Sequence, residues 1–249
     1  MKSLLVLSLQ ISDVKYEEIY AMISDAIQNH QKLVIMYAGA HILSLAQEMP
    51  DLQTALSCAD IVHPDGVGVW LAAKYLHGRG FRDRFNWSDH VYEFLATSAT
   101  RSWRIFILGS TTETLNKATL SMQRDVPQIG IVGAKNGFED ADSANLIDEI
   151  NKAHPDILWV GMGSPKQELW IHRHRNELQC NVIQSVGDAI SLLAGEKIRG
   201  PKIFQLIGLE WAFRILFHPR KYFSRYAFGI PFFAATIVKQ KFRSKKCSP

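Results

Sequence analysis

The 249-residue sequence predicts an α/β fold, a parallel sheet covered by helices, with a basic, aromatic helical appendage at its C-terminal end. Three observations predict it. Apolar runs of strand length alternate with longer segments of helical period, the pattern of parallel strands joined by helical crossovers. Hydrophobic residues make up 47% of the sequence, enough for a substantial core. Charge is divided unevenly: residues 201–249 hold ten Lys or Arg against one acid, Glu210, a charge of +9 that leaves −5 for residues 1–200.

The elements follow in order. Leu4–Leu9 reads as the first strand, because the apolar run after Met1-Lys2 is too short for a signal peptide and lacks a small-residue cleavage site before Ser12-Asp13. Leu33–Tyr37 and Ile61–His63 are the next strands. After a Pro-Asp-Gly turn at Pro64–Gly66, the residues Val69, Ala72, Ala73 and Leu76 have helical spacing. Ser88-Asp89 predicts the cap of a helix that runs to Thr97. Strands at Arg104–Leu108, Ile129–Val132, Ile157–Val160 and Val182–Ser185 then alternate with helices at Glu113–Arg124, Ser143–His154 and Gln167–Leu178, a Rossmann-like succession. The turn-rich stretch Gly195–Pro201 ends it. Residues 1–195 are therefore expected to form the α/β body, and residues 196–249 an appendage that needs the body.

The appendage is rich in Phe and carries Trp211 among its cations. Such a mixture suits an anionic membrane surface, where rings settle at headgroup depth and Lys and Arg meet lipid phosphates. A nucleic-acid patch is the rival reading, and the density of aromatic residues favours the membrane. The longest apolar stretch, Tyr226–Val238, has 13 residues and contains Gly229 and Pro231. A spanning helix needs roughly 20, so a peripheral attachment is expected. Arg214, His218, Lys221 and Arg225 would share one face of a continuous helix, but Pro219 interrupts it and predicts two short helices. Cys58, Cys180 and Cys247 lie far apart without metal-ligand spacing, which suggests neither zinc nor a disulfide framework and fits a reducing cytoplasm. His172 and His174 stand two apart on a helix and point in different directions, so no metal is expected there.

In a parallel sheet, ligands bind beyond the carboxyl ends of the strands, where helix N-termini offer backbone N–H groups. Two loops lie there: Gly109-Ser110-Thr111-Thr112, and Gly161-Met162-Gly163-Ser164-Pro165-Lys166-Gln167-Glu168. In the second, the glycines permit close backbone approach, Ser164 can cap, and Pro165 suits a first helical position. It is either a diphosphate cradle or an ordinary strand-to-helix turn. The dinucleotide fingerprint fails at its third glycine and no Walker A loop is present, which disfavours a nicotinamide-linked oxidoreductase and predicts no cofactor. Asp65, at a strand end, is either a general base or the cap of the helix that follows, and the local pattern favours the cap. Arg82, Arg84 and Lys166 are either phosphate ligands at the mouth or solvated charges.

Together these stretches resemble the WecG/TagA/CpsF glycosyltransferase family over nearly the whole chain. The resemblance is carried by Ala59–Gly68, by Arg84 with Ser88-Asp89, and by Pro155–Glu168. Ser185-Val186-Gly187, Ala194-Gly195, Gly208-Leu209-Glu210-Trp211 with Arg214, and Pro219-Arg220 extend it. It implies a metal-independent, inverting transfer from a UDP-sugar donor to an undecaprenyl-diphosphate-linked sugar acceptor, a polyprenyl-diphosphate saccharide, in bacterial surface polysaccharide synthesis. The place implied is the cytoplasmic face of the plasma membrane, and the donor sugar is N-acetylmannosamine, its uronic acid or glucose.

The resemblance reverses the balance at Asp65, which becomes the candidate base. It puts Gln167 in the substrate pocket, makes Arg84, Asp89, Gly109, Gly163 and Lys166 candidate substrate-binding residues, and has Arg214, Arg220 and Arg225 reach in from the appendage. The chain also departs from the family. Tyr37-Ala38-Gly39 stands where Thr-x-Asn is usual, Trp87 where glycine is common, and Asp188 where a second glycine is usual. These departures predict an altered sugar pocket. They also motivate an alternative, a non-catalytic relative that binds a nucleotide sugar or a partner. A homo-oligomer stays open.

Overall fold

The structure, a computed structural model, describes residues 1–83, 87–197 and 229–246. Six strands form one sheet: β3 (Leu33–Gly39), β4 (Ile61–Asp65), β5 (Arg104–Gly109), β6 (Gly130–Lys135), β7 (Ile157–Gly161) and β8 (Val182–Ser185). Their order is β4-β3-β8-β7-β5-β6, and every pairing is parallel. Side chains alternate faces along a strand, and here both faces are covered. Ile105, Ile107, Ile157 and Trp159 enter one core, and Phe106, Leu108, Leu158 and Val160 the other. Burial on both sides is why these strands read as unbroken apolar runs.

One face is covered by α1 (Tyr16–Gln28), α5 (Trp87–Thr100), α6 (Thr112–Asp125) and α9 (Ala189–Leu193). The other is covered by α2 (Ala40–Glu48), α3 (Pro50–Ser57), α4 (Val67–His77), α7 (Leu146–Lys152) and α8 (Lys166–His174). This is the predicted Rossmann-like architecture. It adds α1, α2, α3 and α9 to the expected helices. The periodicity of α1 is plain in Tyr16, Ile19, Tyr20, Ile23 and Ala26, all buried. Pro50 opens α3 directly after α2, at the one helical position where a missing N–H costs nothing.

Two expectations are corrected at the edges. The single strand Leu4–Leu9 is a hairpin of β1 (Ser3–Val6) and β2 (Leu9–Ser12), antiparallel, with Val6 opposite Leu9. Its turn is made by Leu7 in a left-handed conformation, φ 56°, and Ser8. Two-residue hairpin loops require such backbone, and the usual Asn-Gly or Asp-Gly signal is missing here. Ser88-Asp89 does not precede its helix, because α5 already begins at Trp87.

The last described helix, α10 (Gly229–Lys246), returns to the body. Phe233 and Ile237, one turn apart, are buried in the core shared with α2, α4 and the hairpin. Lys241 Nζ donates to the Leu76 carbonyl at 2.5 Å, and Gln240 Oε1 accepts from the Leu7 N–H at 2.8 Å. Ile230, Phe232, Val238 and Phe242 on the same helix are exposed. Among the described residues no helix is long and apolar enough to cross a membrane. The two short helices expected around Arg214–Arg225 lie outside the described residues.

Candidate active site

The carboxyl ends of β3, β4, β7 and β8 and the loops beyond them surround a cavity of about 210 Å³, lined by Tyr37, Gly39, Asp65, Trp87, Gly163 and Lys197 among others. Asp65 is the last residue of β4 and the register partner of Gly39 on β3. A Cβ built on Gly39 would stand 3.6 Å from Asp65 Oδ2, so the glycine leaves the space beside the carboxylate unfilled. Gly66 is the N-cap of α4 with φ 82°, a conformation suited to glycine. The cap position therefore belongs to Gly66, and Asp65 stays on the strand with its carboxylate at the cavity.

Behind Tyr37 lies a buried polar chain. Gln167 is fully buried; its Oε1 accepts from the Gly187 N–H at 3.2 Å, and its Nε2 donates to Tyr37 Oη at 3.2 Å and to Glu168 Oε1 at 2.7 Å. Both amide protons and the carbonyl are committed. Gln167 thus supports the wall, and the phenol of Tyr37 faces the cavity in front of it. Gln167 is not among the residues that line the cavity. No side chain fits at Gly187, because Tyr37 Oη fills the space a Cβ would need. Burial, with the charges of Glu168 and Asp65, pushes the Tyr37 phenol above its ordinary range and keeps it a neutral hydroxyl.

Glu168 completes the chain. It is fully buried, Ser164 Oγ donates to its Oε1 at 3.0 Å, and its Oε2 has no hydrogen-bond partner among the described residues. Burial pushes this carboxyl up to about 7. The loop that holds it departs from expectation: Pro165 takes the N-cap position of α8 rather than its first turn, and the Ser164 hydroxyl turns to Glu168 instead of capping. Gly163, φ 77°, borders open space. His63, the register partner of Tyr37, is buried and pushed down to about 3 by that burial, so it is neutral at pH 7.

Trp87 closes another side of the cavity. Its ring meets Trp159 at 5.9 Å and Phe94 at 5.3 Å, both edge-on, at the start of α5. Lys197 lies across the pocket, with Nζ 3.5 Å from Asp188 Oδ2 and 3.4 Å from Ser88 Oγ. Among the described residues no group of three metal-ligating side chains occurs.

The sequence profile of the glycosyl transferase WecG/TagA/CpsF family matches residues 4–247. The chain belongs to this family. An N-acetylglucosaminyldiphosphoundecaprenol N-acetyl-beta-D-mannosaminyltransferase from Staphylococcus aureus (strain NCTC 8325 / PS 47) is 30% identical over 221 residues, 89% of this chain and 85% of the relative. A protein of the same name from Bacillus spizizenii is 28% identical over 212 residues, 85% of this chain and 81% of the relative.

In this WecG/TagA/CpsF glycosyltransferase the remaining candidate residues are scattered. Asp89 is exposed in the first turn of α5 and does not line the cavity. Lys166 is exposed, its ammonium 5.8 Å from the Phe138 ring. A side chain at Gly109 would run into the Gly161 carbonyl, so its smallness serves the packing of β5 against β7. Arg82 donates to the Asp13 carbonyl at 3.1 Å and to Glu18 at 2.9 Å, which ties the segment after α4 to the β2–α1 connection and to α1. Arg84, Arg214, Arg220 and Arg225 lie outside the described residues. Sequence reasoning gave no role to Glu168 or Lys197. Glu168 stood inside the most specific string, and Lys197 carried no signal beyond its place after the Ala194-Gly195 turn.

Proposed function

We propose that this transferase moves a hexose-type sugar from a UDP-sugar to an undecaprenyl-diphosphate-linked saccharide, with inversion and with Asp65 as general base. The observation that carries the proposal is the Asp65 carboxylate at the end of β4, beside side-chain-free Gly39 and on the wall of the cavity. Inversion needs one displacement. Asp65 takes the proton of the acceptor hydroxyl as its oxygen attacks the anomeric carbon, and the bond to UDP breaks with its electron pair on the departing phosphate oxygen. The growing charge there calls for preorganised donors and cations. The N-terminus of α8 and the guanidinium groups of Arg214, Arg220 and Arg225 are proposed to supply them, without a metal step.

The cavity supports a division of labour. Its volume, about 210 Å³, is below the roughly 300–1,000 Å³ of pockets that enclose drug-sized ligands, and suits the sugar end of the donor rather than the whole nucleotide. Tyr37 and Trp87 fill part of that space, which supports a sugar preference that differs from relatives with smaller residues. The names of the two relatives support an N-acetylglucosaminyl-diphosphoundecaprenol acceptor and an N-acetylmannosaminyl donor as the first pair to try. Residues 196–249 are proposed as the appendage that holds the enzyme on the cytoplasmic face of the plasma membrane. The +9 charge of residues 201–249 and the exposed Phe232 and Phe242 support it. Incubating the full chain with a lipid-diphosphate-sugar acceptor and a panel of UDP-sugars tests the proposal. One donor should be consumed, with UDP and an elongated lipid as products; tight UDP-sugar binding without transfer to any acceptor would favour the non-catalytic alternative.

A further inference from the structure

Lys197 is the only Lys or Arg that lines the cavity among the described residues. Its side chain is only 11% exposed. Its backbone is fixed: the N–H groups of Glu196 and Lys197 donate to the Ser191 carbonyl at 3.0 and 3.2 Å. The Glu196 carboxylate accepts from Thr114 Oγ1 at 2.9 Å and pairs with Lys117 Nζ at 3.0 Å, pinning the segment to α6. The chain thus delivers an ammonium group, from an anchored position, to a cavity whose other charged lining residues, among the described residues, are the carboxylates Asp65 and Asp188.

An anionic substrate entering that cavity meets Asp65 and Asp188, and a cation on the cavity wall helps to offset such like-charge juxtaposition. The Lys197–Asp188 pair is loose, 3.5 Å, with the Asp188 side chain 49% exposed. Exchanging that half-solvated carboxylate for a substrate anion keeps the lysine's charge compensated. We propose that Lys197 is an anion-binding residue of the substrate pocket, which trades Asp188 for an anionic oxygen of the nucleotide sugar. The inference rests on the transferase function proposed above, because it needs a nucleotide sugar in this cavity. The anionic oxygen belongs either to the diphosphate or to a carboxylate on the sugar.

Calorimetric titration of the full chain with UDP, UDP-glucose and UDP-glucuronate, for wild type, Lys197→Gln, Lys197→Arg and Asp188→Asn, tests it. Lys197→Gln should weaken binding about tenfold, Lys197→Arg should retain it, and Asp188→Asn should tighten it by removing the competing carboxylate. Weakening toward all three probes assigns the diphosphate, and weakening toward UDP-glucuronate alone assigns the sugar carboxylate. Binding of all three unchanged in Lys197→Gln would overturn the inference. So would Lys197→Gln and Asp188→Asn weakening binding alike while both lower the melting temperature, since that is the signature of a structural ion pair. If the wild type binds none of the probes, the proposed function fails, and the inference fails with it.

Discussion

The Gln167 amide donates to Tyr37 Oη at 3.2 Å, and through this bond a fully buried residue holds the phenol at the cavity beyond the sheet. Both protons of the Gln167 amide are used within the wall, the second on Glu168, and its carbonyl receives the Gly187 N–H. Tyr37, in front of it, is the residue of this chain of hydrogen bonds that lines the cavity.

Replacing Tyr37 should change which sugar is used more than how fast the best one reacts. Tyr37→Thr enlarges the cavity and should raise kcat/KM for N-acetylated donors relative to UDP-glucose by about tenfold, the scale on which pocket size discriminates between substrates. Competition assays with paired donors measure the ratio. An unchanged ratio would remove Tyr37 from the specificity of the enzyme.

Glu168 gives a pH signature of stability. Its carboxyl is raised by burial from 4.5 to about 7, so between these values the folded protein holds a proton that the unfolded chain releases. The resulting stabilisation is full below pH 4.5 and is lost as pH rises through 7. Glu168→Gln cannot titrate, so the stability of wild type relative to the variant should fall across this window, by up to roughly 3 kcal/mol. His63, pushed down by burial, acts in the opposite sense but is common to both proteins and cancels. Urea denaturation at a series of pH values measures the difference, and a constant difference would contradict the assignment.

Trp87 is both wall and core. Trp87→Ala removes a ring packed on Trp159 and Phe94 and should cost about 3–5 kcal/mol in chemical denaturation. Trp87→Phe should recover most of that loss while still changing donor preference. Full stability in Trp87→Ala would show that the ring is not part of the core.

The two faces of α10 should separate in experiment. Phe233→Ala, on the buried face, should lower stability by about 3–5 kcal/mol. Phe232→Ser with Phe242→Ser, on the exposed face, should leave the melting temperature unchanged and weaken sedimentation with anionic liposomes, most clearly at low salt. Undiminished sedimentation of the double variant would take this face off the membrane.

The centre of the fold was legible because β5 and β7 are buried on both faces and leave unbroken apolar runs such as Ile157–Val160. The hairpin was not, because its turn is Leu7-Ser8, and leucine in a left-handed conformation gives no turn signal. Asp65 was legible as a carboxylate at a strand end, but only Gly66 in the cap position frees it from the ordinary role of helix cap. The commitment of Gln167 to the wall depends on Tyr37 and Gly187, far from it in sequence, and no local pattern carries that. Lys197 is placed by Ser191, Thr114 and Lys117 and was invisible for the same reason.

The measurement that bears most directly on the proposed chemistry is single-turnover sugar transfer by Asp65→Asn, with the folding of the variant checked by thermal melting and UDP-sugar binding. A positioned general base contributes a factor of roughly 10²–10⁴. A loss of that size or greater is expected, with binding and melting temperature retained; transfer at the wild-type rate would contradict the assignment of Asp65 as the base.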